Sequence, residues 1–367
     1  MKDFVDKYLK IIDWYIIKKY LGTFVFTLVI FIVISVVFDI SEHLDNFLTH
    51  HATLFEIAFQ YYAGFIPFYI DLLSPLINFL AVIFFTAKMA NQTEIVPILS
   101  GKASFNRFLR PYFVSATLIF LVTLFASLYL IPYTNKLKVD FENSHGFNGD
   151  QNGKNSVHLK LDEHTYVYVE SYDAGSHTGS QFVLEKFDGD KLRYKIDANS
   201  ITYDSLKKKW TMKNYSVRYI NGLREKLKFN IPLKDTTLDL YPADFEAHDN
   251  VYSAMSLRDL NKNIIKEKIR GAGNLKDMQY EKWKRFLHPF ASFVLTLIGV
   301  SISSRRVRGG IGLPLGIGLF LCFAYIVVDK FALVFAIKSG LSPWIAAALP
   351  NTLFGILGGY LLYKAPK

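Results

Sequence analysis

The sequence predicts an α-helical membrane protein with six transmembrane helices and an inserted β-jellyroll-like domain. Three observations carry that prediction. No lysine or arginine occurs between Lys19 and Lys88. Further apolar runs of membrane-spanning length follow, each bounded by basic residues. Between Pro132 and Trp283 the helical character gives way to short alternating runs. Composition agrees, since 51% of the 367 residues are hydrophobic and yet 20% are charged, more than a wholly embedded chain carries. A bundle of spans joined to a substantial water-exposed domain fits both figures.

The first span is read from Tyr20 to Phe38, an uncharged stretch of roughly nineteen residues, enough to cross a hydrocarbon core of about 30 Å. Lys18 and Lys19 precede it, and Asp39, Glu42 and Asp45 follow. A secretory signal has a shorter apolar core and a small-residue cleavage site. Here the run ends in Phe38-Asp39-Ile40, so the segment is expected to stay, with the N-terminus in the cytoplasm. The remaining spans are Leu72 to Ala87, Tyr112 to Ile131, Phe286 to Ser304, Ile311 to Val328, and Pro343 to Tyr363. On that topology the short inside segments carry Lys88, Lys102, Arg107, Arg110, Arg305, Arg306, Arg308, Lys364 and Lys367, whereas the short outside loops hold only Lys330 and Lys338. Basic residues are retained on the cytoplasmic side, which supports the assignment. The net charge of +10 therefore reads as attraction to the inner membrane face and not to nucleic acid. Cys322 is the sole cysteine, so internal disulfides are excluded.

Upstream of the second span the apolar pattern begins at Leu54, but Pro67, Asp71 and Pro75 interrupt it. Two prolines flanking an acid suggest a segment broken near the outer interface, or a kinked helix whose Asp71 reaches the headgroups. In the central insert, His164 to Val169 and Trp210 to Val217 alternate with the period of half-buried strands. Asp188-Gly189 and Asn221-Gly222 are strong hairpin signals. Several strands without intervening helices imply a β-sandwich or jelly roll. Helical pattern then returns: Ser256 is a candidate N-cap, Leu257, Leu260 and Ile264 share a face, and Gly271 with Gly273 ends the helix before a second one capped by Asn274. The domains are thus 1–134 (cytoplasmic N-terminus and spans one to three), 135–255 (periplasmic β domain), 256–282 (periplasmic helical connector) and 283–367 (spans four to six).

No catalytic set is legible. Gly175 to Ser180 lacks the lysine of a phosphate-binding loop, and Gly309 to Gly318 is a glycine-rich span. Neither a zinc-protease pattern nor a serine nucleophile elbow occurs. Glu42, His43, Asp45, His50 and His51 crowd one loop, but their spacings match no standard metal site, and a solvated acidic loop explains them more simply. No cofactor and no metal are expected. The informative segment is Asn91 to Phe105. Glu94 in the first turn of a short helix and Gly101 just past its end obey capping and dipole rules. Ile95, Ile98 and Leu99 give it one apolar face on a loop with no evident local core, so that face is expected to meet the membrane or a partner.

Glu94-Ile95-Val96 with Ser100-Gly101, between the second and third of six spans, resembles the coupling-helix segment of the lipopolysaccharide export permeases LptF and LptG. The ordered set agrees: Ile12-Asp13-Trp14-Tyr15-Ile16 before span one, Ile66-Pro67 and Pro75 at span two, Met278-Gln279-Tyr280 with Trp283, Lys284, His288 and Pro289 at span four, Asp329-Lys330-Phe331 at span five, and Ala348-Leu349-Pro350 in span six. The likeness is closer to LptG. It implies an inner-membrane subunit without enzymatic activity that pairs with a sister LptF-like permease and sits on an LptB-like ATPase dimer. Such a subunit passes lipopolysaccharide to LptC-like and LptA-like periplasmic proteins. By the same resemblance Glu94, with Ile95, Ile98, Leu99, Gly101 and Arg107, would couple to the ATPase. Phe31, Ile34, Phe38 and Asp39 on span one, with Phe320 and Tyr325 on span five, would line the lipid path or its gate. Proteobacterial members place a basic residue where this chain has Asp39, then Glu42 and His43. Lys136, Lys138 or the partner subunit would then supply charge for lipid phosphates. Two other classes stay open: another ABC permease of lipoprotein-releasing or efflux type, which commonly carries its insert after the first span, and a membrane-anchored periplasmic enzyme.

The topology has a direct test. Single cysteines, Gly189→Cys and Gly309→Cys in a Cys322→Ser background, are expected to react with an impermeant thiol reagent from opposite sides of the membrane. Reaction of both from the same side would overturn it.

Overall fold

The computed structural model describes residues 10–49, 52–101, 104–145, 155–162, 164–173, 176–205, 207, 209–222, 224–238, 240–242, 245, 251–270, 275–305 and 310–364. Its contacts divide the chain into two compact units, Met1–Lys138 with Gln279–Lys367, and Val139–Met278. Among the described residues six helices are long and apolar enough to cross a membrane, and their spans lie mainly in the first unit: Ile11–Thr49, Leu54–Asn91, Phe105–Glu142, Leu275–Ser303, Gly312–Lys338 and Pro343–Tyr363. Most run beyond their apolar windows, because the helix continues through charged residues that flank the hydrocarbon-length core. Asp329 and Lys330, expected to close the fifth span, lie inside a helix that continues to Lys338.

The second span is not broken. Tyr62–Asn91 is one helix with Pro67 and Pro75 inside it. A capping box between Thr53 and Glu56 starts the segment, and a π turn, Ile57–Tyr61, leads into it. Nor does Asp71 reach out to headgroups. Its Oδ1 is buried without a hydrogen-bond partner. The charges of His288, Lys284, Glu281 and Arg285 at the head of the fourth span act on it. Elsewhere hydroxyls inside the spans bond back to their own helices, as Ser115 does to the Pro111 carbonyl (3.0 Å) and Thr123 to that of Ile119 (2.9 Å). Such local satisfaction is required where no water is at hand.

Span two is the hub, packing against spans one, four and five. Small residues let it come close. A Cβ on Gly299 of span four would lie 2.8 Å from Val82 Cγ1 of span two, and one on Gly318 of span five would run into Ile83. This is the small-residue packing typical of helices in lipid. Polar cross-links add to it. The buried Tyr20 hydroxyl donates to Asn78 Oδ1 (2.5 Å) and meets Thr296 Oγ1 (2.8 Å), while Asn78 Nδ2 donates to the Ser292 carbonyl (3.2 Å). Spans one, two and four are thereby joined at one point.

In the second unit six antiparallel strands, β1 (Asn155–Lys160), β2 (Thr165–Asp173), β3 (Thr178–Asp188), β4 (Lys191–Asp204), β5 (Lys209–Asn221) and β6 (Arg224–Thr236), form one sheet in sequence order. The expected antiparallel β domain is present, with meander order in place of a jelly roll's crossovers. Both hairpins fall where the dipeptides put them. Asp188 pairs with Lys191 and Asn221 with Arg224, and Gly189 and Gly222 take φ of +61° and +64°, as these tight turns require. One face is dry, built from Val167, Val169, Phe182, Leu184, Trp210 and Met212. Leu240 and Phe245, beyond β6, cover part of it, and Trp210 Nε1 donates to the Leu240 carbonyl at 2.8 Å. Ser256 caps the helix Leu257–Arg270, and its hydroxyl accepts from Asp259 N at 3.2 Å. Leu260 of that helix packs with Tyr252 and Met278. The helix ends expected from Gly271, Gly273 and Asn274 lie outside the described residues.

Replacing Gly299 by valine is expected to destabilise the helical unit by about 1–3 kcal/mol, the usual cost of overpacking. Gly316→Val, with open space at its Cβ, serves as the control. Thermal unfolding in detergent reads both; equal stability would show that spans two and four do not need the close approach.

Candidate functional site

The first span carries polar contacts at both ends and little packing between them. At its N-terminal end Asp13 lies on the same stripe as Ile16, Ile17 and Tyr20, and all four are buried. Arg107, in the first turn of the helix that begins the third span, grips it with two bonds, Nη1 to Oδ1 at 2.8 Å and Nη2 to Oδ2 at 2.5 Å. The backbone N–H of Lys10 adds a third at 2.7 Å. A planar guanidinium matched to a carboxylate fixes orientation as well as distance. Ser104 caps the Arg107 helix, accepting from Arg107 N (3.3 Å), which sets the direction in which the guanidinium leaves.

Beside this pair lies the short helix Ile95–Ser100. Thr93, at φ +59°, turns the chain into it. Glu94 stands at its N-cap position without capping it; its Oε2 accepts from the Tyr15 hydroxyl at 3.1 Å. Ile95 is 2% exposed within a cluster formed by Ile16, Phe85, Met89, Phe105 and Phe108, and Ile98 and Leu99 pack on the same cluster. The apolar face expected to await a membrane or partner is therefore covered by the chain's own span ends. What remains outward is Val96, Pro97, Ser100 and Gly101. A groove of about 460 Å³ runs between the three elements, lined by Lys10, Asp13, Pro97, Ile98, Gly101 and Arg107 among others. Glu94, Ile95, Ile98, Leu99, Gly101 and Arg107 thus come together, but Arg107 faces Asp13 and Glu94 faces Tyr15.

Toward the other end of the first span Phe38 is 71% exposed and Ile34 46%, with Phe31 partly covered. One residue further on, Asp39 is 7% exposed. Its Oδ1 accepts from the Tyr61 hydroxyl and its Oδ2 from that of Tyr62, both at 3.0 Å. His43 Nδ1 stands 3.3 Å from Oδ1, one helical turn on. The donors sit where the π turn ends, a feature frequent at functional positions. Phe47 meets the Tyr61 ring edge-on at 5.2 Å. Lys138 Nζ lies over the rings of Tyr61 (5.1 Å) and Phe65 (5.6 Å), a cation–π arrangement. Gly64 permits this: a Cβ there would fall 2.5 Å from the Thr134 carbonyl oxygen. Among the described residues no group of three acids, histidines or cysteines is placed to hold a metal, and His50 and His51 lie outside them.

Span five divides into two stripes. Phe320, Phe323, Val327 and Phe331 are exposed, whereas Gly318, Cys322, Tyr325 and Ala332 are buried. Tyr325 turns away from the face that carries Phe320: its hydroxyl donates to Asn351 Oδ1 (3.1 Å), and its ring meets Phe354 edge-on. It is thus a residue of the chain's own interior. Five residues turn a helix through about 140° beyond one full rotation, so the two never shared a face. Sequence reasoning quoted Asp13 and Tyr15 only within the motif before span one, without a role, and missed Tyr61 and Tyr62. For Asp13 a signal existed, an acid set within an apolar stripe of helical period.

A scan against protein families matches the model described as Lipopolysaccharide export system permease LptF/LptG over residues 14–364. No curated protein matches the chain.

Arg107→Ala should strand the Asp13 carboxylate and cost about 2–3 kcal/mol, less than a fully buried pair because the guanidinium is partly exposed. Asp13→Ala combined with Arg107→Ala should recover part of that loss in a thermal melt. A double variant no more stable than the single one would show that the pair contributes little.

Proposed function

Because the chain belongs to the lipopolysaccharide export system permease family LptF/LptG, we propose that it is a transmembrane subunit of an ATP-driven exporter. In this reading it takes lipopolysaccharide from the inner membrane, with a sister permease beside it, and hands the lipid to a periplasmic bridge. An LptB-like ATPase dimer supplies the energy, and LptC-like and LptA-like proteins receive the cargo. The multi-pass helical unit and the antiparallel β domain are the two parts such a task requires. LptF and LptG share one family model, and the likeness of the motifs favours LptG.

The observation that carries the reading is the short helix Ile95–Ser100. It is anchored inward by Ile95 and presents Val96 and Pro97 outward from the connection between spans two and three. A rigidly seated, outward-facing turn is what a separate motor needs in order to push on the spans. Glu94 at its head offers a carboxylate that a basic groove on the ATPase can engage while Tyr15 holds it in place. The exposed apolar faces of spans one and five, with Phe31, Ile34, Phe38 and Phe320, suit contact with acyl chains or the sister subunit. Lys138, over the rings of Tyr61 and Phe65, is a cation at the outer end of the first span, near the place where the family keeps a basic residue.

Glu94→Ala is expected to leave the chain inserted while weakening ATPase co-purification about tenfold, the loss of one charge-assisted contact. Tyr15→Phe keeps the carboxylate and removes only its intrachain bond, so it should retain the ATPase. Full co-purification and lipid-stimulated hydrolysis in Glu94→Ala would sink the coupling assignment.

A further inference from the structure

From the contacts of Asp39 we infer that Asp39, Tyr61 and Tyr62 form a releasable pin that positions the outer end of the first span and must open for lipid to pass. The inference rests on the export reading above and goes beyond it by naming the residues that hold the gate shut. Three observations lead there. First, between the Tyr20 cross-link and Asp39 the first span shows large apolar side chains outward, among them Phe26, Val29, Val33, Val37 and Phe38. Its middle is therefore not fixed by a packed core. In lipid there is no hydrophobic force to press helices together, so polar bonds and close packing decide where a helix lies. Secondly, the contact at the outer end is polar and fully matched: each carboxylate oxygen of Asp39 takes one tyrosine hydroxyl at 3.0 Å. A matched polar contact can be undone without leaving an apolar cavity, provided water or a polar ligand takes over its bonds.

Thirdly, the two ends of the span differ in construction. The N-terminal end is held by the bidentate Arg107 pair, whose guanidinium is partly exposed, and by Tyr20, which is fully buried against spans two and four. The outer end is held by two neutral hydroxyls, by the part-exposed His43 and by the ring of Phe47, which meets Tyr61 edge-on. The difference lies in the kind of contact, an ion pair and a buried cross-link at the inner end against neutral hydroxyl donors at the outer end, so movement is expected at the outer end about the inner one. The acid here is thus a positioning residue, not a phosphate ligand. Lys138, drawn over the Tyr61 and Phe65 rings, places a cation against the same tyrosine. A polyanionic headgroup approaching this cation faces the Asp39 carboxylate as well, and like-charge repulsion then favours separation of the acid from its donors.

The test uses the full chain in its complex with the ATPase. Asp39→Cys and Tyr62→Cys are combined in a Cys322→Ala background and joined by a bis-methanethiosulfonate linker long enough to replace the tyrosine ring. Linking should lower both lipopolysaccharide release from proteoliposomes and lipid-stimulated ATP hydrolysis by about tenfold or more, as expected when a gating step is blocked. Reductant, which removes the linker, should restore both. The milder variant Tyr61→Phe with Tyr62→Phe keeps the rings and removes the donors. It should raise hydrolysis in the absence of lipid by about threefold as the open population grows. Linked and reduced samples of equal hydrolysis would overturn the pin. Should the unmodified complex move no lipopolysaccharide, the export reading fails by itself, and the effect of linking on hydrolysis still decides the pin.

Discussion

A polar group withdrawn from water into a helix bundle must find its partner inside the protein, and that constraint organises the helical unit. Tyr20, Asn78 and Thr296 are fully buried and satisfy one another across spans one, two and four. Without them the first span would be joined to its neighbours mainly at its ends, since most of its middle faces outward. The cross-link also fixes register. A hydroxyl and an amide that must meet at hydrogen-bonding distance tolerate far less sliding than two apolar surfaces do. Close approach of small residues supplies the remainder, with Gly299 and Gly318 making room for Val82 and Ile83 of the second span.

The β unit obeys a different rule. Its strands alternate, and the dry face of Val167, Phe182 and Trp210 is stabilised by burial away from water, a driving force that helices in lipid lack. One chain therefore uses two kinds of adhesion, polar and close-packed among the spans, apolar within the sheet. The outer face of the sheet carries ordered cross-strand pairs such as Glu185 with Lys195 (3.1 Å), which solvent screens. The pairs suit a water-exposed surface and add little stability.

In the proposed reading, coupling depends on where the contacts of the first span and the short helix are placed. The short helix Ile95–Ser100 is seated on the same apolar cluster as the start of the first span, so a push on its outward side is delivered to Ile16 and Phe108. Tyr15 and Arg107 tie the two sides of that seat together through Glu94 and Asp13. The first span is thus tied to its neighbours by an ion pair and a buried cross-link at one end and by hydroxyl donors to Asp39 at the other.

The existence of the spans, their order, the inserted sheet and both hairpins were legible in the chain itself. Each rests on a local rule: an apolar run matched to membrane thickness, a period of two, or a glycine able to adopt positive φ. The family likeness was legible too, because its motifs stand in fixed order along the sequence. Tertiary structure alone decided which polar residues meet. Asp13 and Arg107 are 94 residues apart, and Tyr20 and Thr296 are 276 apart. Helical period shows which face of a segment is apolar, but not which neighbour that face will touch. For the same reason Asp39, conspicuous as an acid where a base was looked for, showed its partners Tyr61 and Tyr62 only in the folded chain.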